Sequence, residues 1–167
     1  NDYSPKKISK FKSKFKLETF EDKFWFEDLN IGLYGAYLCT KIFGSEMSRR
    51  GHGIILNIAS DLSIIAPDNR LYNNSSKRIL NVKPVTYSVV KHGIIGLTKY
   101  TASYWGRSNV RCNALAIGGI INDQPKKFIN KISNLIPLGR MANKNEYESI
   151  IAFLIRYHFR FCSAIGL

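Results

Sequence analysis

The period of apolar positions changes several times along the chain, and each change predicts an element. From Phe24 to about Arg50, Leu29, Leu33, Tyr37, Leu38 and Ile42 recur every three or four residues, which predicts a helix. Gly51 follows its last turn and suits the stop. Gly53 to Ala59, GIILNIA, is a short apolar run with β-branched residues and predicts a strand buried as in a parallel sheet. Residues 61–83 are polar, and Asp68-Asn69-Arg70 and Asn73-Asn74-Ser75-Ser76 are loop chemistry. A loop this long inside a compact domain is expected to be functional or mobile. Val89, Val90, Ile94, Leu97 and Tyr104 predict the apolar side of a second long helix, from Val85 to about Arg107. Asn109 to Ile117, NVRCNALAI, predicts the next strand, stopped by Gly118-Gly119. Residues 122–136 predict a loop holding a short helix, and a last helix is expected from about Lys144 to Arg156. Tyr157 to Leu167 shows no usable period.

Strand, long helix, strand is a βαβ unit, so the two strands should be parallel with a right-handed crossover. The fold class expected is therefore α/β. A length of 167 residues is one domain's worth of chain. No run of 18 apolar residues occurs, so no membrane span is expected. The Lys-rich start has no apolar core like that of a secretory signal. Cys39, Cys112 and Cys162 are odd in number and far apart, which predicts reduced thiols in the cytoplasm.

The net charge of +13 invites a nucleic-acid reading. Residues 1–16 alone hold six Lys and one Asp, a basic leader with period-2 lysines, and the remaining excess is spread out. Ile, Lys, Asn, Phe and Tyr make up 70 of the 167 residues, and all have AT-rich codons. Codon bias then accounts for much of the Lys excess. Phe11 and Phe15 among the lysines could stack on single-stranded nucleic acid, but no such platform recurs downstream. Nucleic acid is not the expected partner.

Candidate chemistry lies between the two predicted strands. Tyr87 and Lys91 are four apart, on one face of the second helix. A free phenol has a pKa of about 10 and supplies little phenolate at neutral pH. A nearby ammonium favours the phenolate, and the Tyr can then act as general acid or base on an alcohol or carbonyl oxygen. Ser60, just past the first strand, could hydrogen-bond the same oxygen. The Tyr-x-x-x-Lys spacing alone is weak. Tyr3/Lys7 and Tyr37/Lys41 share it, and only Tyr87/Lys91 opens a helix that follows a strand ending in Asn57-Ile58-Ala59-Ser60.

In that context four ordered blocks resemble the second half of the short-chain dehydrogenase/reductase family: GIILNIAS, PVTYSVVKHGIIGLTKYTA, NVRCNALAIGG and PLGRMANKNEYESIIAFL. The resemblance covers roughly residues 20–155. It implies an incomplete Rossmann-like, doubly wound parallel sheet. Residues 17–156 would form a partial domain of the family, between a basic leader (1–16) and a divergent tail (157–167). It further implies hydride transfer between NAD or NADP and an alcohol or carbonyl, with a sugar-derived substrate. Ser60 would polarise the substrate oxygen, Tyr87 would donate or accept the proton, and Lys91 would lower the Tyr pKa and hold the nicotinamide ribose. Gly118 and Ile120 would lie along the nicotinamide, Ile120 through its backbone. In the complete family the two long helices pack in a homo-oligomer.

The departures set further expectations. The family's Thr-Gly-x-x-x-Gly-x-Gly turn, which presents amides and a helix N-terminus to phosphates, has no counterpart here. The chain alone is therefore expected to bind no dinucleotide with useful affinity, as a truncated family member would. The family's helical Asn falls at Gly32, and Asn30 does not inherit its role. The 27-residue interval from Ser60 to Tyr87 is about twice the family's, so Pro67–Lys83 is expected beside the substrate pocket. The alternative is a catalytically inactive fragment that serves as an oligomerisation module. Asp61 and Asp68 could touch a polar substrate or simply serve their turns. Arg140 could face the substrate side or form a structural ion pair. His52, His92, His158 and the three Cys show no metal-ligand spacing, and no metal is expected.

Overall fold

The chain's computed structural model describes residues 15–72, 81–156 and Ser163. The expected leader up to residue 14, Asn73–Ser76, His158 and Cys162 lie outside the described residues.

The first predicted helix is present but has two registers. Helix α1 (Asp22–Leu29) passes through a π turn (Asn30–Tyr34) into α2 (Gly35–Arg50), and Leu29, Asn30 and Gly35 keep right-handed helical backbone across the joins. Gly51 ends it in the left-handed region (φ 74°), and its N–H donates to the Met47 and Ser48 carbonyls. Helix α3 (Val85–Trp105) crosses this rod at paired notches. A Cβ at Gly32 would lie 2.6 Å from Val90 Cγ1, and one at Gly93 would lie 2.9 Å from Leu33 Cδ1. Each glycine thus receives the other helix's branched side chain, which lets the two backbones approach.

That crossing explains where the predicted apolar faces differ. Tyr37, Ile42, Val89 and Tyr104 were expected inside, yet Ile42 is 62% and Tyr104 65% exposed. Thr40, Gly44, Thr98, Thr101 and Ala102 are buried instead. Close helix contact selects small residues and turns the large rings outward.

Strand β1 (Gly53–Ile58) pairs in parallel with β2 (Val110–Leu115), with Ile54 opposite Arg111 and Ile58 opposite Leu115. Helix α3 is the crossover between them, as the βαβ pattern requires. The core joins Ala59, Val90, Ile94 and Ala114, with Leu29, Leu33, Ala36 and Ile95 packed around it. All six residues of β2 are buried. The expectation of a buried strand fails for β1, whose residues are half-buried and whose Ile58 is 44% exposed. Among the described residues β1 is paired along one edge only.

Helix α4 (Lys126–Ser133) is the short helix expected after β2. Helix α5 (Glu148–Ile155) follows a 3-10 turn, Lys144–Tyr147, closed by a capping box of Asn143 and Glu146. Arg111 is buried in β2, and its guanidinium donates to the Leu154 and Arg156 carbonyls at 3.2 and 3.0 Å. It thereby satisfies carbonyls that the end of α5 leaves open. No helix among the described residues is long and apolar enough to cross a membrane.

Candidate active site

Parallel sheets open their clefts at the carboxyl ends of the strands, and the candidate residues follow both strands here. The ladder runs past β1, with Ala59 N–H donating to Leu115 O and Asp61 N–H to Ile117 O at 2.9 and 3.0 Å. This places Ser60 beside the Ile117–Ile120 segment. Tyr87 and Lys91 occupy the first two turns of α3, one turn apart. Ser60, Tyr87, Lys91, Gly118 and Ile120 all line one open cleft of about 980 Å³.

Ser60 is buried, and its Oγ donates to Asp61 Oδ1 at 2.8 Å. The same Oγ accepts the Leu62 N–H at 3.2 Å, which caps the turn Asp61–Ser63. Lys91 Nζ donates to the Ile58 carbonyl at 2.9 Å and stands 5.9 Å from the centre of the Tyr87 ring. Burial pushes the Lys91 pKa down. The bridge between Ile120 and Ala142 uses the Gly119 carbonyl and the Ile121 N–H, and does not use the Ile120 N–H. A Cβ at Gly118 would meet only Tyr147 Oη at 3.8 Å and Asp61 Oδ2 at 3.9 Å, so this strip of backbone is open to a flat group.

Three further candidates have structural partners. Asp61 holds Ser60 and the Leu62 N–H. Asp68 caps the turn Asn69–Leu71 and pairs with Arg70 at 2.6 Å. Arg140 pairs with Glu146 at 2.6 Å and holds the Glu146 pKa down to about 2. Among the described residues no three His, Cys, Asp or Glu side chains gather as a metal site would require.

The polar segment after Ser60 forms one wall of the cleft. Tyr72 packs its ring on Phe128 at 5.8 Å, and Lys131 Nζ donates to the Arg70 carbonyl at 2.9 Å, tying this wall to α4. Burial, with smaller contributions from Tyr87 and Asp61, pushes the Tyr72 pKa up to about 12.

Lys83 was not foreseen. Its Nζ lies 3.8 Å from the centre of the Tyr87 ring, closer than that of Lys91. Burial pushes its pKa down to about 8; Asp61 opposes that shift and Lys91 adds to it. Lys83, Tyr87 and Lys91 are spaced by four, but Lys83 lies before the helix, so the spacing alone carried no signal for it.

A parallel βαβ unit with its cleft at the carboxyl ends of both strands is the architecture of the Rossmann-like α/β class. The family model described as enoyl-(acyl carrier protein) reductase, of the short-chain alcohol dehydrogenase type, matches residues 8–165. The chain belongs to the short-chain dehydrogenase/reductase family. It is 32% identical over 149 residues to the 2-dehydro-3-deoxy-D-gluconate 5-dehydrogenase of Bacillus subtilis, covering 83% of this chain and 52% of that protein. It is 29% identical over 145 residues to the NAD-dependent glycerol dehydrogenase of Listeria innocua, covering 84% of this chain and 52% of that protein. A short-chain dehydrogenase from Leptospira borgpetersenii, solved with bound NAD+, superposes with a TM-score of 0.82 at 30% identity, covering 93% of this chain and 58% of the other. The chain thus spans about half the length of these curated relatives.

Proposed function

We propose that the cleft is the alcohol/carbonyl site of an NAD(P)-dependent oxidoreductase acting on a sugar-derived substrate. The observation that carries this reading is the convergence of Ser60, Tyr87 and Lys91 on one cleft at the carboxyl end of the parallel pair. The likeness to two dehydrogenases of small hydroxylated compounds supports it. Tyr87 supplies or removes the proton at the reacting oxygen. Ser60 turns its hydroxyl from Asp61 to that oxygen and polarises it. Lys91, anchored on the Ile58 carbonyl, holds a positive charge beside the phenol.

A nicotinamide cofactor would supply the hydride. Lys91, the open backbone at Gly118 and the Ile120 N–H fit its nicotinamide–ribose end. No Gly-rich turn of the phosphate-cradling type occurs in these 167 residues, so affinity for the dinucleotide is low. Calorimetry with NADH and NADPH is expected to show no micromolar binding by this chain. With millimolar cofactor and a panel of sugar alcohols and acids, Tyr87→Phe is expected to lower turnover about 10²–10⁴-fold. No turnover by the wild type at any cofactor concentration would remove the reading.

One observation favours a second reading, an inactive oligomerisation module. The long helices expose stacked ring pairs, Tyr34/Tyr37 and Tyr100/Tyr104, together with Ile42 and Phe43. Light scattering tests this, and a strict monomer counts against it.

A further inference from the structure

The proton chemistry uses Ser60, Tyr87 and Lys91 and leaves one cleft cation unused. Lys83 stands at the junction of the polar wall and α3, with its ammonium over the Tyr87 ring. Among the described residues no carboxylate lies within ion-pair distance of Lys83 Nζ and no acceptor is hydrogen-bonded to it. The other cleft charges are differently placed. Asp68 is paired with Arg70, and Glu146 with Arg140. Asp61 attracts Lys83 at longer range, but its Oδ1 already accepts from Ser60 and Leu62. Asp123 lines the cleft from the exposed loop after β2. Lys91, the nearest like charge, is satisfied by the Ile58 carbonyl.

We propose that Lys83 recognises a carboxylate carried by the substrate close to its reacting carbon–oxygen bond, so that the site prefers a hydroxy acid or oxo acid to a neutral polyol. This inference rests on the reading of the cleft as the alcohol/carbonyl site.

The physical case is one of an incomplete environment. A half-buried ammonium loses water and needs acceptors in its place. Lying on a ring face gives it a cation–π contact, which is weaker than what a desolvated charge requires. The ammonium has three N–H donors, and the ring face cannot satisfy them all. A carboxylate supplies both the missing acceptors and the countercharge. A hydroxyl supplies only an acceptor. Position adds direction, because the ammonium lies against the ring whose hydroxyl meets the reacting oxygen. An anion on Lys83 therefore sits within a few bonds of that oxygen and fixes which carbon faces Tyr87. Among the described residues a single unpaired ammonium at this end suits a monoanion better than a phosphate dianion.

The test uses the whole 167-residue chain with 15N-labelled lysine side chains. Gluconate, sorbitol and inorganic phosphate are titrated separately while the Lys83 resonance is followed against pH. Gluconate and sorbitol differ by a carboxylate against a CH2OH group. Gluconate is expected to bind saturably and raise the pH at which Lys83 titrates, and sorbitol to leave it unmoved. Lys83→Met is expected to weaken gluconate at least tenfold and leave sorbitol unchanged, while Lys83→Arg keeps part of the preference. Equal response to gluconate and sorbitol, stronger binding of phosphate, no binding of gluconate, or a Lys83→Met affinity within twofold of wild type would each overturn the proposal. The readout needs neither cofactor nor turnover, and Tyr87→Phe should keep the gluconate response. Failure of the oxidoreductase reading is therefore distinguishable from failure of this one.

Discussion

Lys83→Met should make the protein more stable at neutral pH, with a gain that disappears in alkali. In the unfolded chain the ammonium titrates at about 10.4. In the fold burial pushes its pKa down to about 8. Below about pH 8 both states carry the charge, and the folded state bears the full desolvation cost. Between about pH 8 and about pH 10.4 the unfolded state binds more protons, so stability rises with pH across this window. The difference between titration at about 10.4 and at about 8 corresponds to about 3 kcal/mol. The cation–π contact with Tyr87 offsets about 0.5–2 kcal/mol of that. Methionine keeps most of the length of the side chain and carries no charge. The variant should therefore gain about 1–3 kcal/mol near pH 7 and little or nothing near pH 10. Cys112 and Tyr72 titrate in the opposite sense. Burial pushes both up to about 12, so their contributions are present at neutral pH and fade once the unfolded thiol and phenol ionise. Both proteins share these terms, and the variant-minus-wild-type difference removes them. Urea unfolding followed by Trp fluorescence, from about pH 6 to about pH 10, measures that difference. A pH-independent difference, or a variant less stable at neutral pH, would refute the placing of Lys83 as a desolvated cation.

Two glycines make a matched pair. A Cβ at Gly44 would meet the Trp105 ring at 2.2 Å, while one at Gly96, also helical, meets nothing within 4 Å. Gly44→Ala should cost about 1–3 kcal/mol and Gly96→Ala should gain up to about 1 kcal/mol, both read by thermal unfolding. Gly32→Asn should destabilise through Val90, and adding Val90→Ala should recover about 0.5–3 kcal/mol in a double-mutant cycle; strict additivity would disprove the contact. In the sheet the inner edge of β1 uses the Gly53 and Ala59 N–H groups. Ladder alternation then turns the Ile54, Leu56 and Ile58 amides outward, and these should exchange with D2O faster than those of Ile55 and Asn57.

The βαβ order and its crossover helix were legible because long periodic segments carry most of the signal. The helix start at Val85 and the Gly51 stop follow from local chemistry that acts within a few residues, and the parallel pairing follows from the βαβ order. What was not legible depends on partners. The apolar period alone placed Tyr37, Ile42 and Tyr104 inside, but the inside of these helices is set by where two backbones approach. Gly32 opposite Val90 and Gly93 opposite Leu33 are long-range pairs, and neither glycine announces its neighbour. The half-exposure of β1 is a similar case. Its apolar run suits burial on both faces, yet burial requires covering elements that the strand's own residues do not encode.

The candidate site divides along the same line. Ser60, Tyr87, Lys91, Gly118 and Ile120 were singled out by motif and element together, and all five line the cleft, just past the strand ends or in the first turns of the helix between them. Asp61 was readable as a substrate contact or a turn residue, and its hold on the Ser60 hydroxyl needed the structure. Lys83 shows the limit most clearly. Its spacing of four from Tyr87 repeats that of Lys91, but Lys83 precedes Pro84 and lies outside the helix. Helical spacing therefore gave no ground to place it on the Tyr87 face. What brings it there is the extended backbone at Pro84 (φ −54°, ψ 137°), which folds the residue before the helix back over the ring. The same proline that opens the helix thus sets a second ammonium beside the phenol. On the proposed reading, that position separates a site for any alcohol from a site for one bearing an acid group.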